Sequence, residues 1–171
     1  MPGLSLIEEF LNTVDERSFR RHGQIHAGGD QLTSPDALAR WLAAHDPANA
    51  GTALDQDDLA GTLALRTALR RSLLGEADPA TAFADHPLQL VPDGAGGMRV
   101  AARSGRRWLD VLVETVAEAA CRGDWKRIKL CAAPDCRWAF HDTSRNARGR
   151  WCNMNACGNR HKTRAYRERR H

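Results

Sequence analysis

Cys131-Ala-Ala-Pro-Asp-Cys136 and, after fifteen intervening residues, Cys152-Asn-Met-Asn-Ala-Cys157 place two pairs of thiols at one spacing near the end of a 171-residue chain. Each pair can wrap one side of the same ion, and two such pairs complete a closed tetrahedral four-cysteine zinc site. The other use of four cysteines is a pair of disulfides, which persist in oxidising compartments. The chain opens Met-Pro-Gly-Leu-Ser with no basic start, no long apolar run and no cleavage site. A cytoplasmic location, reduced thiols and one structural Zn2+ on Cys131, Cys136, Cys152 and Cys157 are therefore expected. No apolar run approaches the roughly 20 residues of a membrane span, so no membrane partner is expected. The fifth thiol, Cys121, lies outside the pattern and reads as a core residue on a helix.

The second pair runs directly into Gly158-Asn159-Arg160-His161-Lys162-Thr163-Arg164. At helical spacing Arg160, Arg164, Arg167 and His171 form one basic stripe, and Lys162, Tyr166 and Arg169 a neighbouring one. Arg145, Arg148 and Arg150 add charge from the preceding loop. Residues 121–171 hold 14 Lys and Arg against 4 Asp and Glu, a net of +10, while the first 120 hold 11 against 17, a net of −6. The overall +4 thus conceals a basic tail on an acidic body. A charge run is usually a solvated face. Here Glu168 is the only acid after Asp142, and such one-signed charge points to a polyanion as partner. Arg160 and Arg164 are candidates for phosphates or guanine edges.

The body reads as mostly helical. Leu4, Ile7, Leu11 and Val14, with Phe10, carry the period of an amphipathic helix over Leu4 to Arg17. A polar loop spans Arg20 to Gln31. Thr33-Ser34-Pro35-Asp36 starts a second helix with a buried stripe of Leu38, Trp41 and Leu42, ended by His45-Asp46-Pro47. A third begins near Asp55 to Asp58 and runs to Leu74-Gly75. Leu59, Leu63, Leu65, Leu69 and Leu73 fill one sector of it, and Arg66 and Arg70 fall inside that sector. Two arginines there are either an internal ion pair, with Glu8, Glu9 or Asp15, or an anion pocket for a small effector. Residues 87–91 and 98–102 flank the turn-rich 92–97 as a β-hairpin. A last body helix, Arg106 to Arg122, shows Leu109, Leu112, Val113, Val116 and Ala120 on one face. No internal repeat or Gly-rich phosphate loop is present.

In the C-terminal segment Ile128 to Leu130 and Trp138 to His141 read as two short strands around the first Cys pair. The whole is expected to be mainly α with one β-hairpin over residues 1–124. A small treble-clef-like zinc finger with four Cys ligands, ending in a basic helix, is expected over 125–171. Metal binding of about 10–16 kcal/mol can fold such an apolar-poor module. Four thiolates leave no vacancy for His141 or His161, nor for a metal-bound water, and no nucleophile stands with its base. An enzyme is not expected.

Residues 131–170 resemble the CGNR zinc finger, whose name is spelled by Cys157-Gly158-Asn159-Arg160. Arg150-Trp151-Cys152 and the Asp142 to Asn146 turn are similar to the same family. Gly149 departs from it, standing where a second basic residue often precedes Arg150. Phe10-Leu11-Asn12-Thr13, the Leu38 to Leu42 segment and the Arg66-containing helix resemble the ABATE domain usually found in front of that finger. The resemblance implies a bacterial, stress-induced transcription regulator with four Cys zinc ligands. Asn12 and Thr13 are open to two uses: part of an effector site, or a helix cap and buried hydrogen bonds.

Three functions follow from these residues. The first is DNA binding through the finger and its basic helix, with the body sensing a small-molecule effector or forming a homodimer. The second is a zinc-stabilised module docking an acidic protein surface. The third is RNA binding, with Trp138, Trp151 or Tyr166 as stacking platforms.

Overall fold

The apolar period of the first segment breaks earlier than the sequence suggests. In the computed structural model, which describes residues 2–21, 24–45, 53–78 and 83–168, helix α1 covers Pro2–Leu11. Leu4, Ile7, Phe10 and Leu11 are buried on it. Val14 lies not on that helix but in strand β1 (Val14–Asp15). The cause is local: Thr13 Oγ1 donates to Phe10 O at 2.8 Å and the Asn12 amide is bonded to a distant strand, so both side chains draw the backbone out of helix. The expected loop beyond it contains β2 (Arg20–Arg21), β3 (Gln24–Ile25) and β4 (Gly29–Asp30). Two-residue strands are too short for alternation to register in a sequence.

Helix α2 (Pro35–His45) starts where expected, with Ser34 Oγ accepting from Ala37 N at 3.1 Å. Asp46 and Pro47, read as its stop, lie outside the described residues. Helix α3 (Gln56–Leu73) opens on a reciprocal capping box between Asp55 and Asp58. Strands β5 (Leu88–Pro92) and β6 (Met98–Ala102) form the expected hairpin, with Leu90 opposite Val100. Helix α4 (Arg107–Cys121) buries Leu109, Leu112, Val113 and Val116 as read. Ala119 is buried rather than Ala120, and Cys121 is exposed rather than in the core.

The last third contributes β7 (Ile128–Leu130), β8 (Ala139–His141), a wide π-type turn (Met154–Gly158) and helix α5 (Asn159–Glu168). Among the described residues there are thus five α-helices and four two-stranded antiparallel sheets, β1–β4, β2–β3, β5–β6 and β7–β8. This corrects the expectation of a single hairpin in the body. No helix is long and apolar enough to cross a membrane.

One packing feature positions everything below. Ile128, Leu130 and Ala139 belong to the same apolar cluster as Ile7, Leu11, Leu69 and Val113. The β7–β8 hairpin is therefore built into the body's core, with β8 against α1 and β7 against α3.

A candidate metal centre with a basic helix

The first thiol pair is set by a tight knuckle. Cys136 N donates to Ala133 O at 2.9 Å, Cys131 N to Trp138 O at 2.9 Å, and Arg137 adopts φ 51° to leave the turn. The second pair is brought alongside by Ala132 N donating to Arg150 O at 2.8 Å. Asn153 then caps the π-type turn, its Oδ1 accepting from Ala156 N at 3.0 Å. The result is four sulfurs all within 4.8 Å of one another. Cys136 to Cys152 and Cys152 to Cys157 are each 3.7 Å apart. A tetrahedron with Zn–S of about 2.3 Å has an edge of about 3.8 Å, whereas a disulfide needs about 2.05 Å. The donor set fits one structural zinc, and the disulfide alternative falls.

Without a cation these sulfurs must share protons. Hydrogen bonds from the Cys136 and Cys152 thiols hold Cys131 down to about 2. Cys136, whose proton Cys131 holds, is pushed up to about 12, and Cys152 is driven up by the same two neighbours. One thiolate forms readily and each further one is opposed. A dication reverses that opposition, which is why the cluster is a metal site rather than a reactive thiol.

Two arginines flank the sulfurs. The Arg17 guanidinium lies 4.1 Å over the Trp138 ring and is held by Asp15. Its pKa is raised by that carboxylate first and then by the Cys136 and Cys152 sulfurs. Arg160 turns inward from α5: its Nη2 donates to Asp135 Oδ1 at 3.1 Å and lies 3.6 Å from Cys157 Sγ. Its guanidinium sits 3.6 Å above the Phe19 ring, and its Nε and Nη1 are buried with no hydrogen-bond partner among the described residues. The sequence stripe that groups Arg160 with Arg164 and Arg167 therefore divides, with Arg160 committed to the metal centre. A Cβ at Gly158, which precedes it, would stand 2.5 Å from Met154 Sδ and 3.3 Å from the Trp151 ring, itself 4.7 Å from the His161 ring.

The basic loop is held by one buried carboxylate. Asp142 accepts from Lys129 Nζ at 2.6 Å, Gly149 N at 2.7 Å and Ser144 N at 3.0 Å. The Lys129 ammonium, ahead of the Ser144 bonds, holds its carboxyl well below the usual carboxylate range. A Cβ at Gly149 would stand 2.7 Å from Asp142 Oδ1. That close approach to the Asp142 carboxylate favours glycine at this position. Arg145, Arg148 and Arg150 are exposed around this clamp, Arg150 lying 5.2 Å over Trp151. On α5 Lys162, Arg164 and Arg167 are exposed. Arg169 and His171 lie outside the described residues.

The four residues read as an effector site are all engaged internally. Asn12 Nδ2 donates to Ala139 O at 2.9 Å and its Oδ1 accepts from Ala139 N at 2.8 Å. Thr13 Oγ1 accepts from Arg66 at 2.8 Å. Arg66 pairs with Asp30 at 2.5 Å and Arg70 with Glu16 at 2.9 Å. Both partners differ from the expected Glu8, Glu9 or Asp15, because α1 ends at Leu11 and the short strands carry Glu16 and Asp30 to α3. Arg70 also donates to Arg137 O at 3.0 Å, next to a zinc ligand. Arg17, Phe19, Lys129 and Asp135 are contributors that spacing did not single out. Only Asp135, an acid inside the first thiol pair, carries a sequence signal, since an anion there requires a cation beside it.

A family model described as CGNR zinc finger matches residues 127–170. The ABATE model, described as putative stress-induced transcription regulator, matches residues 4–134. No curated protein matches the chain. The two matches overlap at 127–134, where strand β7 shares the body's core.

Proposed function

The chain belongs to the ABATE family and carries a CGNR zinc finger, and from that premise we propose that it regulates transcription by gripping duplex DNA. The observation that carries this reading is α5: anchored at its start by Cys157 and Arg160, it turns Lys162, Arg164 and Arg167 to solvent with one acid, Glu168, among them. The zinc holds this helix and takes no part in chemistry. Arg145, Arg148 and Arg150 extend the basic surface. If five of these six cations meet phosphates, log K should fall with log salt at a slope of about −4.5. RNA stacking has less support, since Trp138 lies under Arg17 and Trp151 packs on His161 and beneath Arg150.

One helix reads few base pairs, so site recognition calls for a dimer. The β5–β6 hairpin offers a self-association surface: Leu88, Leu90 and Met98 are 41%, 66% and 59% exposed on one face. Asn12 and Arg70 serve to weld body to finger, and Thr13 and Arg66 to tie the body's own elements together, rather than to receive an effector. The test is anisotropy of labelled duplex DNA with zinc-loaded protein, across salt and after chelation. Submicromolar binding at low salt, with the stated slope and loss on chelation, is expected. No binding at low salt would overturn the reading in favour of docking to an acidic protein surface.

A further inference from the structure

The outward face of α5 does not stand alone. Strand β2 from the N-terminal body comes alongside it, and the two enclose a cleft of about 510 Å³. Its walls carry Arg20 on the β2 side and Asn159, Thr163, Arg164 and Arg167 on the helix side, with Glu168 as the one acid among the described residues. Arg20 and Arg167 are exposed and have no ion-pair partner among the described residues. Arg164 has only a distant one, Asp135 at 4.0 Å. Unpaired guanidinium groups on two facing walls repel one another, and an anion between them removes that cost. Asn159 and Thr163 add neutral groups of the kind that meet phosphate oxygens.

Among the described residues no aromatic ring lines the cleft. A track for single-stranded nucleic acid is built around rings on which unstacked bases lie. A cleft with cations and amides but no ring suits the sugar–phosphate backbone of a duplex, whose bases stay stacked and out of reach.

The geometry points to this cleft as the seat of one DNA backbone strand, clasped between α5 and Arg20 of the β2–β3 hairpin. The ABATE body is then part of the DNA-binding surface and not only a platform for the finger. This rests on the DNA-binding reading above and adds to it a residue outside the finger. Because Arg20 and Arg164 lie on separate elements, strand capture requires the fold that joins them, and the finger alone would lose one wall.

The experiment is a salt titration of duplex-DNA binding with the full zinc-loaded chain and its Arg20→Ala, Arg20→Lys, Arg167→Ala and Arg71→Ala variants. Arg71 is an exposed cation on α3, away from the cleft. Loss of one phosphate contact shortens the log–log slope by about 0.9, roughly an eightfold loss of affinity at 0.1 M salt. Arg20→Ala and Arg167→Ala should each show that change, Arg20→Lys should restore most of it, and Arg71→Ala should show none. Arg20→Ala with the parent slope, beside a shortened Arg167→Ala slope, would overturn the clasp while leaving DNA binding by the finger intact. An equal loss for Arg71→Ala would also overturn it, as an effect of general charge. Absence of duplex binding by the parent chain would remove the reading on which the clasp rests. The Arg20 side chain makes no hydrogen bond or ion pair among the described residues, and matching thermal melts for the four variants would establish that the changes arise at the interface.

Discussion

Replacing Arg160 with Gln should weaken zinc binding, although Arg160 is not a ligand. The perturbation removes a positive charge whose Nη2 lies 3.6 Å from Cys157 Sγ. Two unit charges at that distance interact by about 4–5 kcal/mol at an effective dielectric of about 20. A dication shared by four thiolates leaves about half a negative charge on each sulfur, which reduces the figure to about 2 kcal/mol, roughly thirtyfold in affinity. The same guanidinium is half-buried between Asp135 Oδ1, the Phe19 ring and the Cys157 sulfur, and a cation withdrawn from water in this way needs negative charge beside it. The assay is competition for zinc against a chromophoric chelator, with Co2+ substitution to confirm that four thiolates still bind the metal. Arg160→Lys should fall between parent and Arg160→Gln, keeping the charge but losing the fork on Asp135. Unchanged zinc affinity in Arg160→Gln, together with a DNA salt slope shortened by about 0.9, would refute the reasoning and make Arg160 a phosphate contact.

Asn12→Ala removes both hydrogen bonds to Ala139 and strands two buried backbone groups; a loss of about 2–4 kcal/mol, read as a melting temperature lower by roughly 5–15 °C, is expected. Asp142→Asn should open the basic loop at neutral pH, read as faster tryptic cleavage at Arg145 and Arg148. Because the folded carboxyl is held below its ordinary value, the clamp is at full strength above about pH 4 and is lost only as pH falls through the depressed value. Gly149→Ala should give the same cleavage by displacing the carboxylate sterically. Leu90→Glu, on the exposed hairpin face, should leave the melting temperature unchanged and reduce the sedimentation coefficient to that of a monomer; an unaltered coefficient would move the dimer surface elsewhere.

The metal site was legible in the sequence because thiol spacing is a local property that survives into space: all four ligands and their number follow from it. Helices α2, α3 and α4 were legible for a similar reason, through caps and apolar periods. The end of α1 was not. Val14 continues the helical period, yet Asn12 is claimed by a strand far along the chain, and no local signal records a partner that distant. Arg160 shows the same limit from the other side. Its place on a basic stripe is a true feature of the helix, but a stripe does not tell which of its members faces the neighbouring knuckle. Arg66 and Arg70 were recognised as needing either an internal ion pair or a bound anion, while the partners they take depend on two-residue strands that leave no pattern.

The bond between Asn12 and Ala139 spans 127 residues, and that separation sets an order of events during synthesis. The first helix leaves the ribosome long before the strand that completes its polar edge. At about 5–20 residues per second the interval is roughly 6–25 s. Through that time Ile7 and Leu11 lack the Ile128 and Ala139 side chains that share their cluster in the finished protein. The nascent body must therefore be kept from aggregation until residues 128–139 arrive, and the finger, made after it, closes the fold it belongs to.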